Sequence, residues 1–127
     1  MHPNEKLLRD ADEAQRRGDF EAFMNAYTDD IVIHMPGKSS IAGVYKGKDQ
    51  FAEVFQKFTE LTPEYTFDSH AYFADDEHGV LLQRSHYKRG DKTLDTNDTF
   101  VFHFRDGRVS EMWISTDDPY GTDAFLG

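Results

Sequence analysis

The chain contains no cysteine. Disulfides and thiolate-ligated metals are therefore excluded, and the composition suits a reducing compartment. Positive charge is scarce: 14 Lys and Arg stand against 24 Asp and Glu, a formal net charge of -10. Such a surface repels phosphate backbones, which argues against nucleic acid as a partner. There is no basic amphipathic segment for anionic lipid. No apolar run approaches the ~20 residues that a membrane span requires. The opening residues, MHPNEKLLRD, carry no apolar leader segment, so the expectation is a cytoplasmic chain. Repeats, low-complexity runs and linkers are missing as well. So is any dinucleotide fingerprint, and Lys46-Gly47-Lys48 is too short for a phosphate loop. No cofactor is expected.

What is present is a single domain of 127 residues, long enough to bury a core without staples. The hydrophobic share is only 38%, but 11 Phe, 6 Tyr and 1 Trp partly offset it, because each ring buries a large area. Such a composition suits a core or cavity walled with rings.

The first half reads as helix. Asn4 is a candidate cap for a helix from Glu5 to Arg17, with Leu7, Leu8, Ala11 and Ala14 as its apolar stripe. Gly18 stops it, and Asp19 caps a second helix over Phe20 to Tyr27. A short strand follows over Ile31 to Met35, ended by Pro36-Gly37. Lys38 to Tyr45 reads as a loop or short edge strand. A third helix begins at Gly47-Lys48-Asp49, where Phe51, Val54, Phe55, Phe58 and Leu61 follow helical spacing up to Pro63.

The second half reads as strand: Tyr65 to Ala74, Val80 to Lys88, Thr93 to Arg105 and Arg108 to Thr116, a four-strand meander. Asp106-Gly107 is the strongest turn signal, since both residues tolerate positive φ. Before it, Phe100, Phe102 and Phe104 alternate and share one strand face. After it, Val109, Glu111, Trp113, Ser115 and Asp117 take one face, and Met112, Ile114 and Thr116 the other. Both faces carry apolar groups, so both need cover: helices on one side, a second subunit on the other. The tail, Pro119 to Gly127, is placed over the cavity mouth or a partner through Phe125 and Leu126. Helices followed by a meander give an α+β domain. The expected form is one curved, mostly antiparallel sheet with three helices on its concave face and a cone-shaped cavity between them.

Four segments, GDFEAFMNAYTDDIVIHMPG, IAGVYKGKDQFAEVF, FVFHFRDGRVSEMWISTDD and the closing FLG, carry a family pattern. The chain resembles the SnoaL-like and ketosteroid-isomerase-like proteins of the nuclear transport factor 2-like superfamily. The resemblance implies the cone-shaped fold, also called cystatin-like. It also implies a small hydrophobic ligand and a homodimer. In SnoaL-like cyclases an acid four residues after a Trp near the end of the last strand is the general acid/base. By position, Asp117 is its counterpart after Trp113. Ketosteroid isomerases place a catalytic Asp directly before a Pro in the region of His34-Met35-Pro36-Gly37. Here Met35 holds that place and His34 is one residue away.

The candidate catalytic residues are thus Asp117, as proton carrier, and His34, as helper. Tyr27, Trp113, Phe55, Arg84 and Asn97 are the candidate substrate contacts. The expected chemistry is proton transfer on a hydrophobic carbonyl compound, as in an isomerase or cyclase. Binding or dimerisation without turnover is the alternative. A third reading is an epoxide hydrolase, which needs Arg84 to converge with Asp95 or Asp117. Asp95 or Asp98 sharing a proton with Asp117 is a further possibility. His34, His86 and His103 lack the spacing of a preformed metal cluster, so no metal is expected.

Overall fold

The computed structural model describes residues 1–127. The first helix, α1, spans Pro3–Arg16. Its cap is His2, whose Nδ1 accepts the Asn4 amide at 3.0 Å. Asn4, the expected cap, is instead buried. Its side-chain amide donates to the carbonyls of Asp75 and Asp76, tying the helix start to a distant turn. Asp19 caps α2, Phe20–Met24, by accepting the Ala22 amide at 3.1 Å.

That helix is shorter than its apolar spacing suggests, because Tyr27 already belongs to β1, Tyr27–Met35. There it pairs with Val109, and the Val109 amide donates to the Ala26 carbonyl. Tertiary pairing thus overrides local helical spacing. The edge strand β2 covers Gly43–Lys46, and α3 covers Gly47–Leu61. Four long strands follow: β3, Thr66–Ala74; β4, His78–Arg89; β5, Lys92–Arg105; and β6, Arg108–Thr116. The tail forms a fourth helix, α4, Pro119–Leu126, where the sequence reading had named no element.

The six strands form one curved, open sheet in the order β2-β1-β6-β5-β4-β3. All neighbours are antiparallel except β1 and β6. Strand β1 therefore enters beside the hairpin that the chain makes last. The Asp106-Gly107 turn is made as its residues require, with both at positive φ.

Side-chain alternation divides the sheet. Phe102, Phe104, Met112, Ile31 and Ile33 are buried on the inner face, under α1, α2 and α3. A register shift at His103/Phe104 separates Val109 from Glu111: Val109 pairs with Phe104 and is buried, while Glu111 pairs with His103 on the outer face. Strict alternation predicts one face for both, which one bulge suffices to undo. Over the inner face, Phe23, Tyr27 and Phe51 meet edge to face or tilted, with Tyr27–Phe51 centroids 4.8 Å apart.

Helix α4 closes one end of the inner layer. The Lys38 amide donates to the Asp123 carboxylate, and the Ser40 amide to the terminal Gly127 carbonyl at 2.6 Å. Arg89 donates to the carbonyls of Leu61 and Phe125, bridging α3 and α4. No helix is long and apolar enough to cross a membrane.

Gly79 shows how tightly α1 sits on the sheet. A Cβ there would stand 2.8 Å from two ring atoms of Phe104 and 3.3 Å from Leu8. Phe104 is buried and cannot swing aside. Gly79→Ala is therefore expected to cost about 1–3 kcal/mol, read as a lower urea midpoint. An unchanged midpoint would contradict this close approach.

Candidate functional site

Between the inner face and the helices lies a cavity of about 140 Å³. That is close to the volume at which an apolar cavity takes one benzene-sized ring. Of its 25 lining residues, 18 are hydrophobic, and none is Lys, Arg or His. Its polar groups are few, and two of them are acids: Asp98 from β5 and Asp12 from α1.

Asp98 is 6% exposed. The Ser85 hydroxyl donates to its Oδ2 at 2.6 Å, while Oδ1 is buried with no partner. The Ser85 oxygen lies 3.2 Å from the Gln83 amide and 3.1 Å from the Tyr65 hydroxyl. With its own proton committed to Asp98, Ser85 accepts from both. Gln83 also donates to the Tyr65 oxygen at 2.8 Å. Donors thus run from β3's approach through β4 and end on one oxygen of one carboxyl. Burial raises the Asp98 pKa above the usual carboxylate value. The Ser85, Thr96 and Thr116 hydroxyls offset part of this, and the charge of Asp117 adds to the rise.

Asp12 is 7% exposed. The Tyr72 hydroxyl donates to its Oδ2 at 2.5 Å. Burial again raises the pKa, opposed by the Ser69 and Tyr72 hydroxyls and by the charge of Arg16. The Tyr27, Tyr65 and Tyr87 hydroxyls are all pushed up by burial, so they remain neutral donors.

Of the residues singled out by sequence, Tyr27 and Phe55 lie on the cavity wall. Asp117, His34, Trp113, Arg84 and Asn97 do not. Asp117 is exposed beyond the end of β6. Its carboxylate accepts from the Asn97 amide and side chain, both at 2.9 Å, and these bonds hold its pKa below the usual range. The placement of a proton carrier in the hollow at Asp117 is thereby corrected. Asn97 precedes Asp98, so alternation turns it outward.

His34 and Trp113 are cross-strand neighbours on the outer face, stacked at 5.0 Å and 3°. His34 Nε2 meets Glu111 at 2.7 Å, and His103 packs edge-on against the same indole. Arg84 faces Asp68 at 3.6 Å, and Asp95 meets His86 at 2.6 Å. The heads needed for an Asp-Arg-Asp hydrolase site, or for a dyad of Asp95 with Asp117, therefore do not converge. His34 and His103 share one Glu, while His86 sits apart with Asp95.

Sequence reasoning passed over Asp98 and Asp12 as wall residues, though each left a signal. Asp98 stands in phase with Phe100, Phe102 and Phe104, two residues before the stripe begins. Asp12 lies four residues after Leu8, within the apolar face of α1. An acid in phase with buried rings is a costly placement that a purely structural strand or helix has no reason to make.

The architecture has solved counterparts. One is Bal32a from a soil-derived mobile gene cassette, with TM-score 0.91 and 27% identity, covering 98% of this chain and 97% of that one. A nuclear transport factor 2-like protein of unknown function from Burkholderia pseudomallei aligns with TM-score 0.89 at 17% identity, over 99% and 98%. TerC, crystallised with polyporic acid, gives 0.86 at 14%, over 98% and 99%. No curated protein matches the chain. The SnoaL-like domain model matches residues 8–112. By that match over most of its length, and by the cone of sheet and helices that encloses the cavity, the chain belongs to the SnoaL-like domain family.

Proposed function

We propose that the cavity binds a compact, neutral, largely hydrophobic carbonyl compound, and that Asp98 supplies a proton or hydrogen bond to its oxygen. The observation that carries this reading is the buried Oδ1 of Asp98, without a hydrogen-bond partner in a mostly apolar wall. Ser85 fills Oδ2, so Oδ1 is the oxygen left for a proton held by this acid. A carbonyl oxygen is the complement of such a donor. An anionic ligand has no cation on the wall to meet it and two acids to repel it. TerC, a neighbour in fold, was crystallised with polyporic acid. The reaction class this favours is proton transfer next to a carbonyl, as in an isomerase or cyclase. Asp98, rather than Asp117, is the group placed for it.

The outer face supports a second copy as partner. Val44, His34, Trp113, Val101, Val80 and Phe73 pair in one row across all six strands. Val44 is 54% exposed, Val101 37% and Phe73 58%. Two such faces packed together would cover the row without exposing new backbone.

Three outcomes are expected. 2-Indanone, a small neutral ketone, binds in calorimetry, and Asp98→Leu weakens it about tenfold, the value of one good hydrogen bond. Equal affinity in the two proteins would remove Asp98 from the site.

Next, Asp98 has a raised pKa when folded and titrates near 3.8 when unfolded. Below 3.8 it is neutral in both states. As pH rises through the folded value, the native state must hold a buried charge and loses stability. Asp98→Asn therefore melts higher than wild type at pH 7.5, by about 4 °C for about 1 kcal/mol, and the gap closes toward pH 4. A gap that widens on acidification would reverse this assignment.

Finally, sedimentation at micromolar concentration gives a dimer for wild type and a monomer for Val101→Arg, which sets a charge in mid-row. A monomeric wild type would sink the dimer.

A further inference from the structure

The cavity holds a second acid that carbonyl binding does not use. Asp12 projects from α1, whereas Asp98 projects from β5, yet both line one hollow about a single ring across. The Tyr65 hydroxyl, on the same wall, lies 3.1 Å from the Ser85 oxygen that binds Asp98. The surroundings of the two acids differ. Donors converge on Asp98 from the sheet, and its charged neighbour is another carboxylate, Asp117. Asp12 takes the Tyr72 hydroxyl on one oxygen and has Arg16 one turn along the same helix. Arg16 favours the charged form of Asp12, against the like charge of Glu13, whereas the charge of Asp117 disfavours that of Asp98. Strand β1 brings no competing acid to the hollow: its wall residues there are Tyr27, Ile33 and Met35.

We infer that Asp12 is the base of the cavity, a catalytic residue facing Asp98 across the bound ketone. This rests on the reading of the cavity as a carbonyl site. In the step, the Asp12 carboxylate removes a proton from the carbon next to the carbonyl. The C–H electron pair becomes the carbon–carbon double bond of the enol, and the carbonyl π pair moves to oxygen. Asp98 delivers its proton to that oxygen from Oδ1. Reversal returns a proton from Asp12 to carbon and restores both acids. The cycle needs no oxidant or second reactant. In D2O the acids exchange with solvent, so the carbon gains deuterium on the return.

The test uses the full chain with 2-indanone in D2O. Proton NMR follows loss of the methylene signal above the buffer rate, and calorimetry measures binding separately. Wild type is expected to accelerate exchange. Asp12→Asn is expected to lose about 10²-fold or more of that acceleration while binding the ketone as wild type does. Exchange at the wild-type rate in Asp12→Asn would overturn the assignment while leaving the carbonyl site standing. Loss of binding together with exchange would make Asp12 a structural acid and overturn it equally. A wild type that binds no ketone fails the carbonyl reading, and the base falls with it.

Tyr72→Phe gives an independent reading should Asp12→Asn not fold. Tyr72, Ser69 and Arg16 hold the Asp12 pKa down, and Glu13 works against them. Without the tyrosine hydroxyl, the rising limb of exchange with pH moves to higher pH. A limb that stays where it is in wild type overturns the proposal.

Discussion

The strict alternation of β5 between its two neighbours is the constraint on which the site depends. Strands β4 and β5 pair without interruption from His78↔His103 to Arg89↔Lys92. Along that ladder each residue faces opposite to the one before it. Asp98 points inward because Phe100 and Phe102 do, and those rings point inward because the helices cover only that side. A slip of one residue would expose the whole stripe and bury Asn97 in place of Asp98. The hydrophobic pattern that stabilises the sheet therefore also fixes which carboxyl enters the hollow. Structure and chemistry share one register.

Holding two acids in an apolar hollow works against stability. Each forfeits hydration. The fold limits the loss with neutral donors: Ser85, Tyr65 and Gln83 around Asp98, Tyr72 around Asp12. These donors offset only part of the rise in pKa that burial causes, and beside Asp12 the charge of Arg16 acts in the same direction. A lysine at either place would have formed an ion pair and removed the poise. Strain tolerated at one place and relieved elsewhere is the usual sign of a site rather than a core. Rigid elements hold both carboxyls, one on the central strands and one on a 14-residue helix, so their separation does not depend on a loop.

Most of the architecture was legible because its signals are local and redundant. Phe51, Val54 and Phe55 mark α3, and Asp106-Gly107 marks the last hairpin. Gly18 and Asp19 separate the first two helices. What was not legible depends on partners distant in sequence. Tyr27 has helical spacing from Phe23, and only Val109 draws it into a strand. The short tail carries too few apolar residues to announce a helix, but Asp118 caps it and Arg89 holds its end. The site was harder still. Counting from Trp113 led to Asp117, because that acid follows a motif that can be seen. Asp98 and Asp12 belong to no motif. They are visible only as polar residues in phase with apolar ones, and a single bulge, such as that beside Val109, changes such phases.

The residues that the motifs did select have their own coherence. His34, Glu111, Trp113 and His103 touch one another on the outer face, and Arg84, Asp68, His86 and Asp95 pair further along it. Polar groups on this outer face are partnered with one another, and there His34 meets a carboxylate at once. Inside, a carboxyl meets hydroxyls and rings. The same residue type thus has opposite meaning inside and outside one sheet: Asp117 is held as a charge by two hydrogen bonds, while Asp98 is pushed toward neutrality by the lack of water. Proximity in sequence to an aromatic landmark says nothing about which of these environments an acid occupies. Parity against the buried stripe does, and in this sheet it separates an acid that helps to finish a strand from one that lines the hollow.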